Sequence, residues 1–228
     1  MQDSVAPNHC EYCNKTFKQS KSFLTHLCEP KRRWMDRDSP TNRTAYNAWR
    51  YYFAKHHPSM SIDYKDFTKN SFYLSFMKFA TYCLNTKVIH IIFFIDFLLS
   101  HKVPIDKWCN DKHYAKFLSH YLKSENVNDA VKRTIRTLEN MCEEENIEVK
   151  DSFKYLNGNR LCQKIYQGLI SPWVLYTSDS AMNFLHNLNE DQVRIVYPVI
   201  DPDIWRMKIF REKDNSSQVK QILKNYVL

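Results

Sequence analysis

Glycine is nearly missing from this chain: of 228 residues only Gly158 and Gly168 are glycine, far below the usual share of about 7%. Positive-φ turns are hard to build from such a sequence, and so are hairpin-rich all-β folds and glycine-rich phosphate loops. A mainly α fold is expected. A long apolar run is missing too. The most hydrophobic stretch, Val88 to Leu99, is interrupted by His90 and Asp96 and falls short of the ~20 apolar residues that cross a bilayer, so it reads as a buried helix. Met1 to His9 is polar and carries no secretory h-region. There is no disulfide framework either. Of seven cysteines, Cys83, Cys109, Cys142 and Cys162 stand singly in apolar or helical contexts, which is the thiol usage of a reducing cytoplasm. The expectation is a cytoplasmic protein without membrane contact.

Catalytic constellations are also wanting. No serine, cysteine or lysine stands beside a recognisable base. Asp201 and Asp203 with Lys208 have the outline of a metal-dependent nuclease, but Asp201-Pro202 reads more simply as a helix N-cap with proline in the first turn. His113 and His120 lie two helical turns apart, too far for one metal ion without other ligands. Glu143, Glu144 and Glu145 read as a solvated helix face, and His90 and Asp96 as structural hydrogen-bonding groups. No enzyme is expected.

What the chain does have is ordinary globular composition, 43% hydrophobic and 25% charged, and one dense motif at its start. Cys10-x2-Cys13 is followed after twelve residues by His26, with Phe17 and Phe23 between them. The spacing resembles the first three ligands and the core positions of the two-cysteine, two-histidine zinc finger. That family places its second histidine three to five residues after the first, and those positions here hold Pro30, Lys31 and Arg32. Cys28 is the substitute. Residues two apart in a helix point about 200° apart, so His26 and Cys28 can share an ion only if the helix ends between them. Pro30 disfavours the helical conformation at Glu29, which lets the chain unwind and swing the Cys28 thiolate back. The reading is a closed, tetrahedral site for Zn2+ made of Cys10, Cys13, His26 and Cys28, structural because protein fills every position.

Charge concentrates at the same place. The chain carries a formal +8, and Asn14 to Arg33 holds Lys15, Lys18, Lys21, Lys31, Arg32 and Arg33 against one acid, Glu29. Such a cluster suits the phosphates of a nucleic acid. If the resemblance extends to docking, it implies that Gln19, Ser22 and Thr25 face base edges. Glutamine can pair with adenine, but serine and threonine are permissive and no arginine reads guanine, so sequence readout should be weak. The competing expectation is a protein-docking module presenting Tyr12, Trp34 and Phe23.

Three segments are predicted: a ββα finger over residues 1–30 with its helix from Ser20 to His26, a basic, proline-containing linker over 31–41 docked through Trp34, and an irregular multi-helix domain over 42–228. In the last, Tyr46, Trp49, Tyr52 and Phe53 share one face of a helix running Arg43 to His56. Further helices are predicted at Phe72 to Leu84, Val88 to His101, Asn110 to Lys123, Asn128 to Glu145 and Arg160 to Gln167. Short ones follow at Ser178 to Leu188, Asp191 to Tyr197, Pro202 to Phe210 and Ser217 to Tyr226.

The stretch from His9 to Trp34, with Asn157-Gly158-Asn159-Arg160 and Ile170-Ser171-Pro172-Trp173, resembles uncharacterised zinc-finger proteins of T-even-type tailed bacteriophages. The resemblance implies a protein of the host cytoplasm acting on nucleic acid, or on a phage or host nucleoprotein machine. It implies a phage or host protein as partner, and it carries no known activity.

Overall fold

A computed structural model of the chain describes residues 8–56, 58, 62–226 and 228; residues 1–7 of the expected finger lie outside them. The fold is mainly α, with fifteen α-helices among the described residues and one two-stranded antiparallel sheet near the N-terminus. No helix among the described residues is long and apolar enough to cross a membrane. Two compact units divide the chain, residues 1–86 with 90–109, and residues 87–89 with 110–228. The stretch 42–228, read from sequence as one helical domain, is thus shared between both.

The first unit begins with β1 (Asn8–His9) and β2 (Thr16–Phe17), paired so that Asn8 faces Phe17 and His9 faces Thr16. Then come α1 (Ser20–Leu24), α2 (Glu29–Met35), α3 (Pro40–His56), α4 (Tyr64–Lys69), α5 (Tyr73–Thr86) and α6 (Ile91–Ser100). The segment expected as a linker, 31–41, thus holds the end of α2, a short turn and the first two residues of α3. Glu29 and Pro30 open α2, contrary to the expectation that Pro30 keeps Glu29 out of a helix. Proline is tolerated there because first-turn N–H groups have no intrahelical acceptor and its φ already suits a helix. Helix α3 starts three residues before its predicted boundary, with the Ser39 hydroxyl accepting from the Asn42 N–H at 3.3 Å.

An aromatic core holds these helices together. Trp49, Phe67, Phe76, Phe79, Phe94 and Trp108 are all fully buried, and neighbouring rings meet edge-on or tilted, as Phe79 with Trp108 at 5.1 Å and Trp49 with Phe67 at 5.2 Å. Each such pair adds about 0.5–1.5 kcal/mol to what burial alone contributes. Helix α6 is not buried all round, as its composition suggested. Phe94, Ile95 and Leu98 turn inward at helical spacing while Ile92 and Phe93 stay exposed. Its Asp96 accepts from the Tyr51 hydroxyl at 2.8 Å and pairs with Lys55.

The second unit comprises α7 (Asp111–Ser124), α8 (Val127–Glu145), α9 (Ser152–Tyr155), α10 (Gly158–Tyr166), α11 (Pro172–Leu175), α12 (Asp179–His186), α13 (Glu190–Ile200), α14 (Pro202–Arg211) and α15 (Lys213–Lys224). Most begin at a side-chain cap. Asn126 caps α8, Asn157 caps α10 and Asp201 caps α14, each oxygen accepting from backbone N–H groups of the first turn. Val131, Ile135, Leu138 and Cys142 of α8 are buried, in the pattern their spacing predicts. Glu144 and Glu145 at the end of α8 are not simply solvated: Arg160 grips both, at 2.5 Å for Glu144. Gly168 is required where it stands. Its φ is +77°, and a Cβ would come within 2.7 Å of the Leu118 side chain.

Candidate metal centre

Cys10 and Cys13 sit in the connection between β1 and β2. The chain turns tightly there, with the Asn14 N–H donating to the Cys10 carbonyl at 2.8 Å and the Cys10 N–H to the Lys15 carbonyl at 2.9 Å. The turn needs a left-handed residue, supplied by Asn14 at φ 59°; asparagine adopts this conformation more readily than most side chains. Helix α1 stops at Leu24, two residues before its predicted end, and leaves His26 just outside it. The His26 N–H returns to the Phe23 carbonyl at 3.1 Å. Phe17 packs on Phe23 at 6.0 Å and on the His26 ring at 4.6 Å, so a miniature core fixes the imidazole.

Cys28 follows in extended conformation, φ −79° and ψ 163°, as the residue capping α2. Leaving the helical path between Leu24 and Cys28 is what turns the thiol back toward the hairpin. Its sulfur lies 3.8 Å from that of Cys10, and the Cys13 sulfur lies 3.2 Å from His26 Nε2. All four donor atoms fall within 4.8 Å of one another. Bonds of about 2.3 Å to sulfur set sulfur–sulfur edges of about 3.8 Å in a tetrahedron. The set therefore fits a four-coordinate metal ion. Among the described residues it is the one group of three or more histidine, cysteine or acidic side chains placed to hold an ion.

Burial works to raise the Cys10 thiol's pKa, but hydrogen bonds from the backbone N–H groups of Cys13 and Tyr12 and from the Cys13 and Cys28 side chains together outweigh it, and the net direction is down. For Cys28 burial prevails over the Lys31 N–H, and the direction is up.

The centre is docked, not tethered. Glu11 pairs with Lys65 of α4 at 2.5 Å. The Lys65 ammonium lies over the rings of Tyr12 and Trp34, at 5.8 and 5.7 Å. Trp34 itself meets Tyr12 at 5.9 Å and Tyr64 at 5.7 Å. Trp34 docks within the unit, as the linker reading expected, and Tyr12, read from sequence as an aromatic for an outside partner, is used there too. Sequence reasoning missed α4 altogether. Its signal was present, since Asp63 and Asp66 form a reciprocal capping box of the kind that opens a helix.

The predicted nucleic-acid residues divide. Lys15, Lys18, Gln19, Lys21, Ser22, Thr25 and Arg32 are exposed. Lys31 is half-buried and donates to the His26 carbonyl at 3.1 Å. Arg33 is turned inward: it donates to the Thr68 carbonyl at 2.8 Å, pairs with Glu29 at 3.3 Å and lies 4.0 Å from the centre of the Tyr73 ring. Helix α1 has only five residues, and Thr25 ends it with its hydroxyl bonded back to the Lys21 carbonyl at 3.1 Å.

No protein-family model, curated protein or solved structure matches this chain. The resemblance to T-even phage proteins gains no support from these comparisons.

Proposed function

We propose that the chain is a zinc-dependent accessory protein of a nucleic-acid machine in the cytoplasm. Its N-terminal finger contacts phosphates, and its helical part binds the protein partner that supplies specificity. The observation that carries this reading is the Cys3His cluster together with the exposed side chains of Lys15, Lys18, Lys21 and Arg32 in the same short stretch of chain. Three sulfur donors and one imidazole suit Zn2+, and four protein donors leave no open position for catalysis. Three thiolates around a divalent ion sum to a net negative charge, which the ammonium of Lys31 beside His26 helps offset. The short α1 and the spent Thr25 hydroxyl favour backbone contact over reading of base edges.

The test is binding to single- and double-stranded DNA and RNA across a salt series, by wild type and by the Cys10→Ala and Cys13→Ala variants. Four exposed cations give an expected salt slope of about −3.6 on duplex DNA, with both variants weaker. Absence of binding at low salt overturns the reading. A second reading, a finger that docks on a protein only, is favoured by Leu24 and Leu27, which are 77% and 50% exposed beside the metal ligands. It predicts salt-insensitive behaviour and no nucleic-acid binding.

A further inference from the structure

Helices α12, α13 and α14 enclose an apolar groove of about 120 Å3, walled by Met182, Leu185, Leu188, Val193 and Tyr197. Among the described residues no aspartate or glutamate lines it. Its one permanently charged side chain is Arg206, which makes no ion pair among the described residues. Cations nearby are treated differently: Lys208 is paired with Glu212, and Arg194 with Glu190 and Asp191.

Apolar surface continues out of the groove. Val193 is 41% exposed, Tyr197 49%, Met207 52% and Phe210 72%. On α14 the exposed residues are Asp203, Arg206, Met207, Phe210 and Arg211, the three- and four-residue spacing of a single helix face. That face sets two large apolar side chains between two arginines, and Arg211 too lacks an ion pair among the described residues. Small ligands are mostly enclosed by their pockets. An apolar surface that extends past the pocket rim, on a face where two arginines without ion pairs outnumber the one acid, Asp203, suits a macromolecule of opposite charge.

We infer that this groove docks an acidic amphipathic segment of a partner protein, one apolar side chain entering between α12 and α13 while a neighbouring carboxylate pairs with Arg206. The inference rests on the partner-binding half of the proposed function and is independent of the finger. Arginine suits the role because its planar fork can hold a carboxylate through two hydrogen bonds.

Panning a random peptide library on the full-length protein tests this, with enriched peptides labelled and measured by fluorescence polarisation. Enriched sequences should carry aspartate or glutamate within one helical turn of a bulky apolar residue. Arg206→Glu and Val193→Glu, both at exposed positions and both expected to keep the wild-type melting temperature, should raise Kd roughly tenfold. Peptides with lysine in place of the acid should lose binding to wild type and regain it on Arg206→Glu. Lys15→Glu/Lys18→Glu/Lys21→Glu should lose nucleic acid yet bind the peptides normally, so the two readings fail separately. Four outcomes overturn the inference: no enrichment, enriched peptides without acidic residues, equal binding to Arg206→Glu, or Arg206-dependent binding to phosphatidylserine vesicles in place of peptides.

Discussion

Lys65 and Glu11, 54 residues apart in sequence, meet at 2.5 Å and clamp the N-terminal hairpin to α4. The hydrogen bond and charge of Lys65 hold the Glu11 carboxyl below its ordinary pKa, and Glu11 in turn raises that of Lys65. Glu11 therefore contributes most above the ordinary carboxylate range, and the contribution is lost as pH falls through the lowered value. Lys65→Glu should release the hairpin while leaving the metal ligands intact. Metal content should stay at one ion per chain while Trp34 fluorescence and amide exchange in residues 8–17 report a loosened dock; loss of metal together with the dock would contradict this.

Cys28 should be indispensable to coordination. Cobalt(II) substituted into the wild type should give the visible absorption of a tetrahedral thiolate site. Cys28→Ser should weaken metal binding at least tenfold and shift that spectrum. An unchanged spectrum would place the fourth ligand elsewhere.

Asn42 is fully buried in α3 and ties four elements together. Its amide donates to Asp36 at 2.5 Å and to Ser39 at 2.9 Å, while its carbonyl accepts from Tyr73 at 2.8 Å and Tyr64 at 3.1 Å. Asn42→Ala removes four hydrogen bonds at once and takes from the buried Tyr73 hydroxyl the acceptor it uses. A loss of about 1–3 kcal/mol is expected in urea denaturation, whereas Tyr73→Phe, which leaves Asn42 its other partners, should cost less.

In the second unit, Glu125 and Arg133 form a buried pair at 2.6 Å, with the Ser171 hydroxyl donating to Glu125 at 2.8 Å and Arg133 Nε donating to the Gly168 carbonyl at 2.8 Å. Burial raises the Glu125 pKa, and Arg133 and Ser171 only partly counter it. The folded state thus keeps this proton to higher pH than the unfolded chain does. The stabilising contribution is full below the ordinary carboxylate value and declines as pH rises through the raised one. Arg133→Ala strands the carboxylate and should cost about 3–5 kcal/mol near neutral pH. The deficit should shrink as pH falls through the raised Glu125 value, and a pH-independent deficit in chemical denaturation would refute this.

The cluster of Cys10, Cys13, His26 and Cys28 was legible in sequence because a coordination set is a local demand: spacing and donor type suffice. Helix α8 was legible for a similar reason, its apolar repeat marking the face that Val131, Ile135 and Leu138 bury, although it starts at Val127 behind an Asn126 cap, one residue before its predicted boundary. Helix α2 was not. Its residues are polar apart from Trp34 and Met35 and show no periodicity, and it is held by remote partners, Thr68 and Tyr73 for Arg33 and Tyr64 for Trp34. Those same contacts decided the fate of Arg33, which composition alone assigned to a phosphate. The division into two units was equally hidden, since no glycine- or proline-rich break marks residues 87–89 or 109–110.

Order of assembly follows from where the ligands lie. Cys10 and Cys28 are only 18 residues apart, so a bound ion would close their loop at small entropic expense before α4 has been synthesised. The docking partners arrive later along the chain, and a hairpin already holding an ion would then offer α4 a finished template. A nascent chain starved of metal would reach that stage with nothing rigid for Lys65 to grip.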